Sequence, residues 1–444
     1  MSPHHQIQNL LSFIDTSPSP WHVVSTIESL LKPFQFTKID ETTRWELQPG
    51  GRYYVVRDDS SIILFVLGTK PLLESGFKIV GAHTDSPGLR VKPNAVNSKD
   101  VLLRLNVEIY GGPILATFTD RDLSLAGRIC YKNDQNQITS QLIRFDKPLL
   151  RLPNLAIHMN RTVNEDGLKL HKQNELPLIL SALSEQQLPP DYFLSLLEKQ
   201  SGIDSTRVLS WDLAVYDIQK GAIWGAENEF YSNSQLDNLA SCHAALQALL
   251  DETALNGENT LVCAFFDHEE IGSESKQGAD GSFLPDVLQR ITLASCEQQD
   301  FPRIMAKSFL ISADMAHAYH PNFPAAYDHD HKVLVNKGPV IKVNTNHRYS
   351  SESISQAMFI DLCNQANVPY QYYSHRCDLP CGSTIGPITS AKLGIRSVDV
   401  GNPMWAMHSI RESAGVFDHD HMIAVLKIFF QSGTNISKPN HLAG

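Results

Sequence analysis

Four short apolar runs rich in β-branched residues constrain the fold of this chain more than any other feature. They are FKIVGA (77–82), TLVCAFF (260–266), SFLISA (308–313) and IRSVDV (395–400). Helix-like segments separate the later runs, such as LDNLASCHAALQALLDE, which begins at Leu236. Continuously apolar strands that alternate with helices are typical of a mostly parallel sheet with both faces buried. The sequence therefore predicts an α/β domain with a mostly parallel sheet flanked by helices.

A long segment between the first two runs has a different pattern. From about residue 94 to residue 227 it contains alternating stretches such as VLLRLNVEIYGG and LSLAGRICYKND, bounded by glycine, asparagine and aspartate. Alternation of this kind predicts strands with one buried face. We therefore expect residues 94–227 to form an inserted, mainly β domain. Residues 1–93 and 228–444 would then form one discontinuous α/β domain.

Composition excludes several classes of protein. The net charge of −11 at pH 7 argues against nucleic acid or an anionic membrane as a partner. No apolar run approaches the roughly 20 residues that cross a bilayer, and the N-terminus lacks the pattern of a secretory signal. Seven widely spaced cysteines fit reduced thiols better than a disulfide framework. We expect a cytoplasmic protein with no membrane and no nucleic-acid partner.

Side chains that bind metals occur in five segments, at the ends of predicted strands or at the start of a predicted helix. In open α/β sheets, ligands bind outside the carboxyl ends of the strands, so one crevice can gather these segments. Any one of these residues alone would more often be a structural histidine, a helix N-cap or a solvated acid. Together they predict a metal site, and its candidate residues are His83 and Asp85 (HTDSPG), Asp237 (QLDNLAS), Glu269 and Glu270 (DHEEIGS), Asp314 (ISADMAHA) and His408 (WAMHSIRE).

The residue types indicate the chemistry of the site. Imidazole and carboxylate ligands suit zinc, and also cobalt or manganese. Two metal ions about 3.5–4 Å apart need a shared carboxylate ligand. Such a pair polarises a peptide carbonyl and activates a water molecule. A carboxylate that binds no metal must then accept the proton of that water. Glu269 and Glu270 suit this division, because neighbouring side chains at a strand end point in different directions. Asp85, two residues after His83, is placed to hydrogen-bond the imidazole of His83.

Other catalytic motifs are absent from the sequence. It contains no G-x-S-x-G nucleophile elbow, P-loop, G-x-G-x-x-G or H-E-x-x-H motif. Two DHDH stretches, at 328–331 and 418–421, look like metal sites, but polar residues of a loop and of a helix start are the simpler interpretation. His331 is the stronger candidate among them, because it lies near the Asp314 segment.

The sequence resembles the aspartyl aminopeptidase family of metallopeptidases in eight motifs. In chain order these are HTDSPG, LAIHMNR, QLDNLAS, DHEEIGS, DMAHAYHPN, GPVIKVN, CGSTIGPI and AMHSIRE. The likeness covers nearly the whole chain. It implies an α/β metallopeptidase domain with an inserted β domain used in oligomerisation, and a two-zinc site that releases N-terminal Asp or Glu from peptides. It also implies a homo-oligomer, a dodecamer built from dimers.

The resemblance also assigns roles to the candidate residues of the metal site. Glu269 would be the general base, and Asp85 would orient His83. The ligands of one metal ion would be His83, Asp237 and Asp314, and those of the other would be Asp237, Glu270 and His408.

Three further residues acquire a role from the resemblance alone. His158 of LAIHMNR would reach into the active site of a neighbouring subunit. Lys342 of GPVIKVN falls at the position suited to meet an acidic substrate side chain, and Tyr349 is expected to bind substrate with it. The stretch TNHRYSS departs from the family where a further basic residue can occur, which leaves the strictness of acidic specificity open.

Two alternative functions remain. A related two-metal amidohydrolase acting on N-acyl amino acids would need a group that captures the substrate carboxylate and an insertion that serves only dimerisation. The LAIHMNR and CGSTIGPI stretches favour the peptidase instead. A catalytically inactive scaffold on the same fold would have lost a ligand or the base, and none is missing. We therefore predict a metal-dependent aminopeptidase.

Overall fold

The computed structural model describes residues 3–182 and 189–432, so residues 1–2, 183–188 and 433–444 of the predicted domains lie outside the described part. Its strands are, in chain order, β1 (Thr37–Lys38), β2 (Arg52–Arg57), β3 (Ser61–Val66), β4 (Phe77–His83), β5 (Gly88–Lys99), β6 (Leu102–Tyr110), β7 (Leu123–Lys132), β8 (Ile138–Arg144), β9 (Leu178–Ala182), β10 (Val208–Asp217), β11 (Ala222–Trp224), β12 (Phe230–Asn233), β13 (Thr260–Phe266), β14 (Phe309–Ala313), β15 (Ala316–His317), β16 (Val340–Val343), β17 (Gln371–Ser374), β18 (Arg396–Gly401), β19 (Pro403–Trp405) and β20 (Glu412–Gly415). Its α-helices are α1 (Pro3–Asp15), α2 (Pro20–Leu31), α3 (Leu72–Ser75), α4 (Val163–Asp166), α5 (Pro189–Ser201), α6 (Leu236–Leu249), α7 (Glu252–Leu255), α8 (Phe283–Leu293), α9 (Phe301–Met305), α10 (Ser353–Gln365), α11 (Ile385–Leu393) and α12 (Val416–Gln431).

The largest sheet has nine strands in the order β1-β2-β3-β13-β4-β14-β18-β16-β17. Its centre is the block β13-β4-β14-β18, in which every neighbouring pair is parallel. These four strands correspond to the four apolar runs of the sequence. Antiparallel pairs flank the block, β3 with β13 on one side and β16 with β18 on the other. The predicted α/β fold with a mostly parallel sheet is therefore confirmed.

Helices cover both faces of this sheet. Every residue of β3 is buried. Ile62 and Leu64 belong to a core that also includes buried residues of α1, α2, α6, α10 and α12. Ile63 and Phe65 face the other layer, whose core includes residues of α8, α9 and α11. Burial of each such side chain contributes on the order of 1.5–3 kcal/mol, which explains why these strands are mostly apolar on both faces.

A second sheet, with the strand order β8-β7-β10-β5-β6-β9, is antiparallel at every pairing. It has a separate hydrophobic core, to which Phe193 and Leu197 of α5 contribute. The sheet begins at Gly88 and its last strand in the chain ends at Asp217. The predicted boundary at residue 94 thus falls within β5, and we propose that the inserted domain starts at Gly88 instead.

A third, five-stranded sheet has the order β11-β12-β20-β19-β15. It is small, but two of its strands lead into candidate site residues: β12 precedes Asp237, and β19 precedes His408. Among the described residues, no helix combines the length and the apolar character needed to span a bilayer.

The two DHDH stretches have different surroundings. Residues 418–421 lie at the start of α12, where the buried Asp418 accepts hydrogen bonds from the backbone N–H groups of Asn336 (2.5 Å) and Gly338 (2.8 Å). Residues 328–331 form an exposed loop in which His331 Nδ1 lies 2.8 Å from Asp328 Oδ1. Both positions match the predicted loop and helix start.

Candidate metal centre

The parallel strands of the central block bring most of the candidate residues to one edge of the sheet. β4 ends at His83, which pairs with Phe266, the last residue of β13. A turn after β13 carries Glu269 and Glu270. Asp314 directly follows β14, the other neighbour of β4. Because parallel strands end at the same edge, residues far apart in sequence become neighbours.

Asp237 and His408 approach this edge from outside the central block. Asp237 lies in the first turn of α6 with a non-helical backbone (φ −82°, ψ 104°), and its side chain is buried. His408 follows β19 and has a left-handed backbone, with φ of 67°. All five predicted ligands, with Glu269, line one cavity.

The two carboxylate oxygens of Asp237 face two different sets of side chains. Oδ1 lies 3.3 Å from His83 Nε2, which is itself 3.6 Å from Asp314 Oδ1. Oδ2 lies 3.6 Å from His408 Nε2, which is 3.4 Å from Glu270 Oε2. Asp237 therefore stands between two groups of donor atoms, each containing one imidazole and one further carboxylate.

This donor set fits divalent metal ions, and zinc in particular. The buried Oδ1 atom of Asp237 has no hydrogen-bond partner among the described residues. Donor atoms of His83, Asp237 and Glu270 all lie within 4.8 Å of one another. Zinc bonds of about 2.0–2.1 Å in tetrahedral geometry place neighbouring ligand atoms about 3.3 Å apart. The separations around Asp237 match that spacing, and they are longer than ordinary hydrogen bonds.

Both histidines are oriented by backbone carbonyl groups. His83 Nδ1 donates a hydrogen bond to the carbonyl oxygen of Asp85 at 3.0 Å. His408 Nδ1 donates to the carbonyl oxygen of Gly112 at 3.1 Å. A proton held on Nδ1 leaves the lone pair of Nε2 free to bind a metal. In both residues it is Nε2 that faces Asp237.

The carboxylate of Asp85 contacts more than His83. Its Oδ1 lies 3.4 Å from His83 Nδ1, whereas its two oxygens each accept a 3.1 Å hydrogen bond, from the N–H groups of Glu269 and Glu270. Tyr110, from the second sheet, donates a third hydrogen bond of 2.7 Å. Asp85 therefore fixes the glutamate turn as well as the strand end that carries His83.

Burial and charge crowding shift the acid–base properties of the metal-free site. Burial, reinforced by neighbouring carboxylates, raises the pKa of Glu269 to about 8 and also raises the pKa of Glu270. Burial opposes protonation of His83, but the nearby carboxylates of Asp237 and Asp314 outweigh it and raise the pKa of His83. In the absence of metal the cluster therefore retains protons, and metal ions compete with protons for the same atoms.

Lys342 and Tyr349 line the same cavity as the candidate ligands. Lys342 is buried, and its Nζ donates to Asp314 Oδ2 at 3.2 Å and to the carbonyl oxygen of Met315 at 3.0 Å. The ammonium also lies 5.3 Å from the centre of the Tyr349 ring. The sequence did not predict this pairing of Lys342 with a candidate ligand.

Unlike the predicted ligands, Glu269, Lys342 and Tyr349, His158 does not line this cavity in its own chain. It lies in an exposed turn, and its neighbours Leu155 and Met159 are 68% and 76% exposed. The exposed apolar side chains next to it suit contact with another protein surface.

Sequence reasoning missed several residues around the site. His317 and Tyr373 line the cavity with their rings 5.7 Å apart; His317 lies in the DMAHAYHPN motif, whereas Tyr373 lies in none of the motifs. Tyr110 and Gly112 reach the site from the inserted segment, which only the tertiary structure can show. Glu412 gave a usable signal, because it is an acidic residue within the AMHSIRE motif and in a short, largely buried strand.

Comparisons with known proteins agree on one family. The profile of aminopeptidase I zinc metalloproteases (M18) matches residues 13–430. A probable M18 family aminopeptidase 2 from Ectopseudomonas mendocina is 46% identical over 430 residues, 96% of this chain and 98% of the relative. The solved Ape4 and Nbr1 complex contains a chain with a TM-score of 0.93 and 38% identity, covering 97% of this chain and 86% of that one.

A further solved structure, the mApe1 dodecamer of S. cerevisiae, has a TM-score of 0.83 and 27% identity and covers 95% of both chains. The resemblance found in the sequence motifs is thereby confirmed. Since the family profile spans nearly the whole chain and the relative is similar end to end, this chain belongs to the M18 family of zinc metalloproteases and is an aminopeptidase.

Proposed function

We propose that this enzyme removes N-terminal Asp or Glu from peptides at a site that holds two zinc ions, in a homo-oligomer. The observation that carries the two-ion proposal is the position of Asp237, whose carboxylate oxygens face separate donor sets. One set contains His83 and Asp314, and the other contains Glu270 and His408. The same donor atoms would also accept cobalt or manganese.

The residues around the ions would divide the work of hydrolysis. When bound, two such ions would polarise the scissile carbonyl and lower the pKa of a nearby water. Glu269 Oε2 lies 4.0 Å from His83 Nε2 and borders the cavity, whereas Glu270 belongs to the donor set of His408. We propose that Glu269 accepts the proton of the water and passes it to the leaving amine. Asp85 would hold both glutamates in place through their backbone N–H groups.

The related amidohydrolase and the inactive scaffold are less well supported alternatives. The family match is to aminopeptidases, and the full set of proposed ligands and the proposed base line one cavity. We also propose a cytoplasmic location, based on the charge and cysteine pattern of the sequence.

Adjacent glutamates with different roles give the first test. Glu269→Gln should lower kcat by at least about a hundredfold and leave zinc content unchanged, because it removes the base but no ligand. Glu270→Gln should instead lower the zinc content of the purified enzyme. Steady-state kinetics and elemental analysis of both variants measure this, and loss of zinc from Glu269→Gln alone would reverse the two assignments.

Lys342 is the basis for the proposed preference for acidic residues. Its ammonium has three protons, and Asp314 and Met315 use two of them. The third can be donated to a substrate carboxylate in the cavity. The protein as a whole is acidic, but salt screens long-range repulsion beyond about 8 Å. A charge-assisted hydrogen bond in a buried site contributes about 2 kcal/mol, equivalent to roughly a thirtyfold preference.

Lys342→Met should therefore reduce kcat/KM for N-terminal Glu and Asp substrates by roughly thirtyfold more than for Leu or Ala substrates. Lys342 also contacts Asp314, so both substrate classes must be assayed with zinc in excess. Lys332→Met is the matched control, because it removes an exposed lysine outside the cavity. Equal losses for both classes would show that Lys342 only supports Asp314.

The exposed position of His158 supports an active site completed by a second subunit. The His158 side chain does not line the cavity of its own chain, and apolar residues near it are exposed. Both features suit insertion into an adjacent copy of the chain. The dodecameric state of the solved relative makes such a neighbour plausible for this chain. We propose that His158 contacts the substrate bound in the neighbouring subunit, and that the inserted domain mediates assembly.

Mixed oligomers test this arrangement. His158→Ala and Glu269→Gln subunits should each be nearly inactive alone, whereas their equal mixture should regain roughly a quarter of wild-type activity if the two residues meet across a two-fold interface. A mixture of Glu269→Gln with Glu270→Gln is the control, because both lesions lie in one chain's own cavity. If proven mixed oligomers recover no activity, His158 does not act in the site of the neighbouring subunit.

A further inference from the structure

Glu412 contacts the backbone of two candidate metal ligands at once. Its Oε2 accepts a hydrogen bond of 3.0 Å from the N–H of Asp237, and its Oε1 accepts one of 2.7 Å from the N–H of His408. The side chain is only 2% exposed. The carboxylate of Glu412 thus links Asp237 and His408 through their backbone N–H groups.

The third sheet explains why Glu412 reaches both segments. It is the first residue of β20, which lies between β12 and β19. β12 leads into the segment that carries Asp237, with Asn233 directly opposite Glu412. β19 leads into the turn that carries His408. A side chain on the middle strand therefore lies next to the segments that follow both flanking strands.

His408 needs this support because its backbone is strained. A φ of 67° is left-handed, a backbone conformation that is strained for a residue with a side chain. Glu412 accepts a hydrogen bond from the N–H of His408, and the N–H of Ile114 donates one of 2.9 Å to the carbonyl oxygen of His408. The imidazole of His408 donates to the carbonyl oxygen of Gly112. The inserted segment and Glu412 thus both fix His408.

We propose that Glu412 is a positioning residue of the metal centre, which sets the relative placement of Asp237 and His408 and thereby the affinity for zinc. This inference rests on the proposed two-zinc function. It requires two acceptor oxygens, one for each N–H group. Glutamine has nearly the same shape, but its NH2 group would face a backbone donor.

The test compares Glu412→Gln with Asp418→Asn. Asp418 is a matched control, since it is also buried and accepts two backbone N–H groups, but from Asn336 and Gly338, which are not candidate ligands. Zinc affinity is measured by competition with a chromogenic chelator, and stability of the metal-free proteins by denaturant unfolding. Both variants should be destabilised, but only Glu412→Gln should bind zinc about 10- to 100-fold more weakly, the range typical of residues that orient metal ligands.

Wild-type zinc affinity in Glu412→Gln, or an equal loss in Asp418→Asn, would overturn the proposal. If Glu412→Gln does not fold, Glu412→Asp is used for the test instead. This variant retains two acceptor oxygens on a shorter side chain, so its zinc affinity should be lower than that of the wild type. Unchanged zinc affinity in Glu412→Asp would overturn the proposal. A wild-type enzyme that binds no zinc would contradict the proposed function instead.

Discussion

The structure around the candidate metal centre depends on the concentration of buried negative charge at one sheet edge. Asp237 is 3% exposed, and its neighbours include further carboxylates that cannot disperse their charge into water. Like charges at such short range are tolerated only with protons or cations between them. In the metal-free site this appears as the raised pKa of Glu269 and Glu270. The fold therefore maintains an arrangement that is balanced when cations occupy it.

Several independent parts of the fold fix this arrangement. The parallel block supplies the strand ends, but the site also depends on Asp85, which joins the turn of Glu269 to the second sheet through Tyr110. The carbonyl group of Gly112 orients His408. The inserted segment thus contacts the candidate metal centre within the same chain. We propose that it has a second use in assembly, through His158, so that one insertion supports the site from inside and from a neighbouring subunit.

The sequence predicted the features that depend on local pattern. Mostly apolar strands could be recognised because both faces of the sheet are covered, and their ends located His83 and Asp314. Features that depend on long-range contacts could not be predicted. The pairing of Lys342 with Asp314 joins β16 to the residue that follows β14, and the periodicity of the sequence does not show how these two strands are placed relative to each other. The sequence predicts that the inserted domain starts at about residue 94, whereas the strand that contains this residue begins at Gly88.

The most direct test of the account is the number of zinc ions bound per chain, measured by elemental analysis after loosely bound metal is removed. If Asp237 joins two donor sets, the wild-type enzyme should hold two ions, Asp314→Asn should hold one, and Asp237→Asn should lose both, because each ion shares that carboxylate. A wild-type enzyme with a single ion, or an Asp237→Asn variant that retains two, would contradict the central role given to this residue.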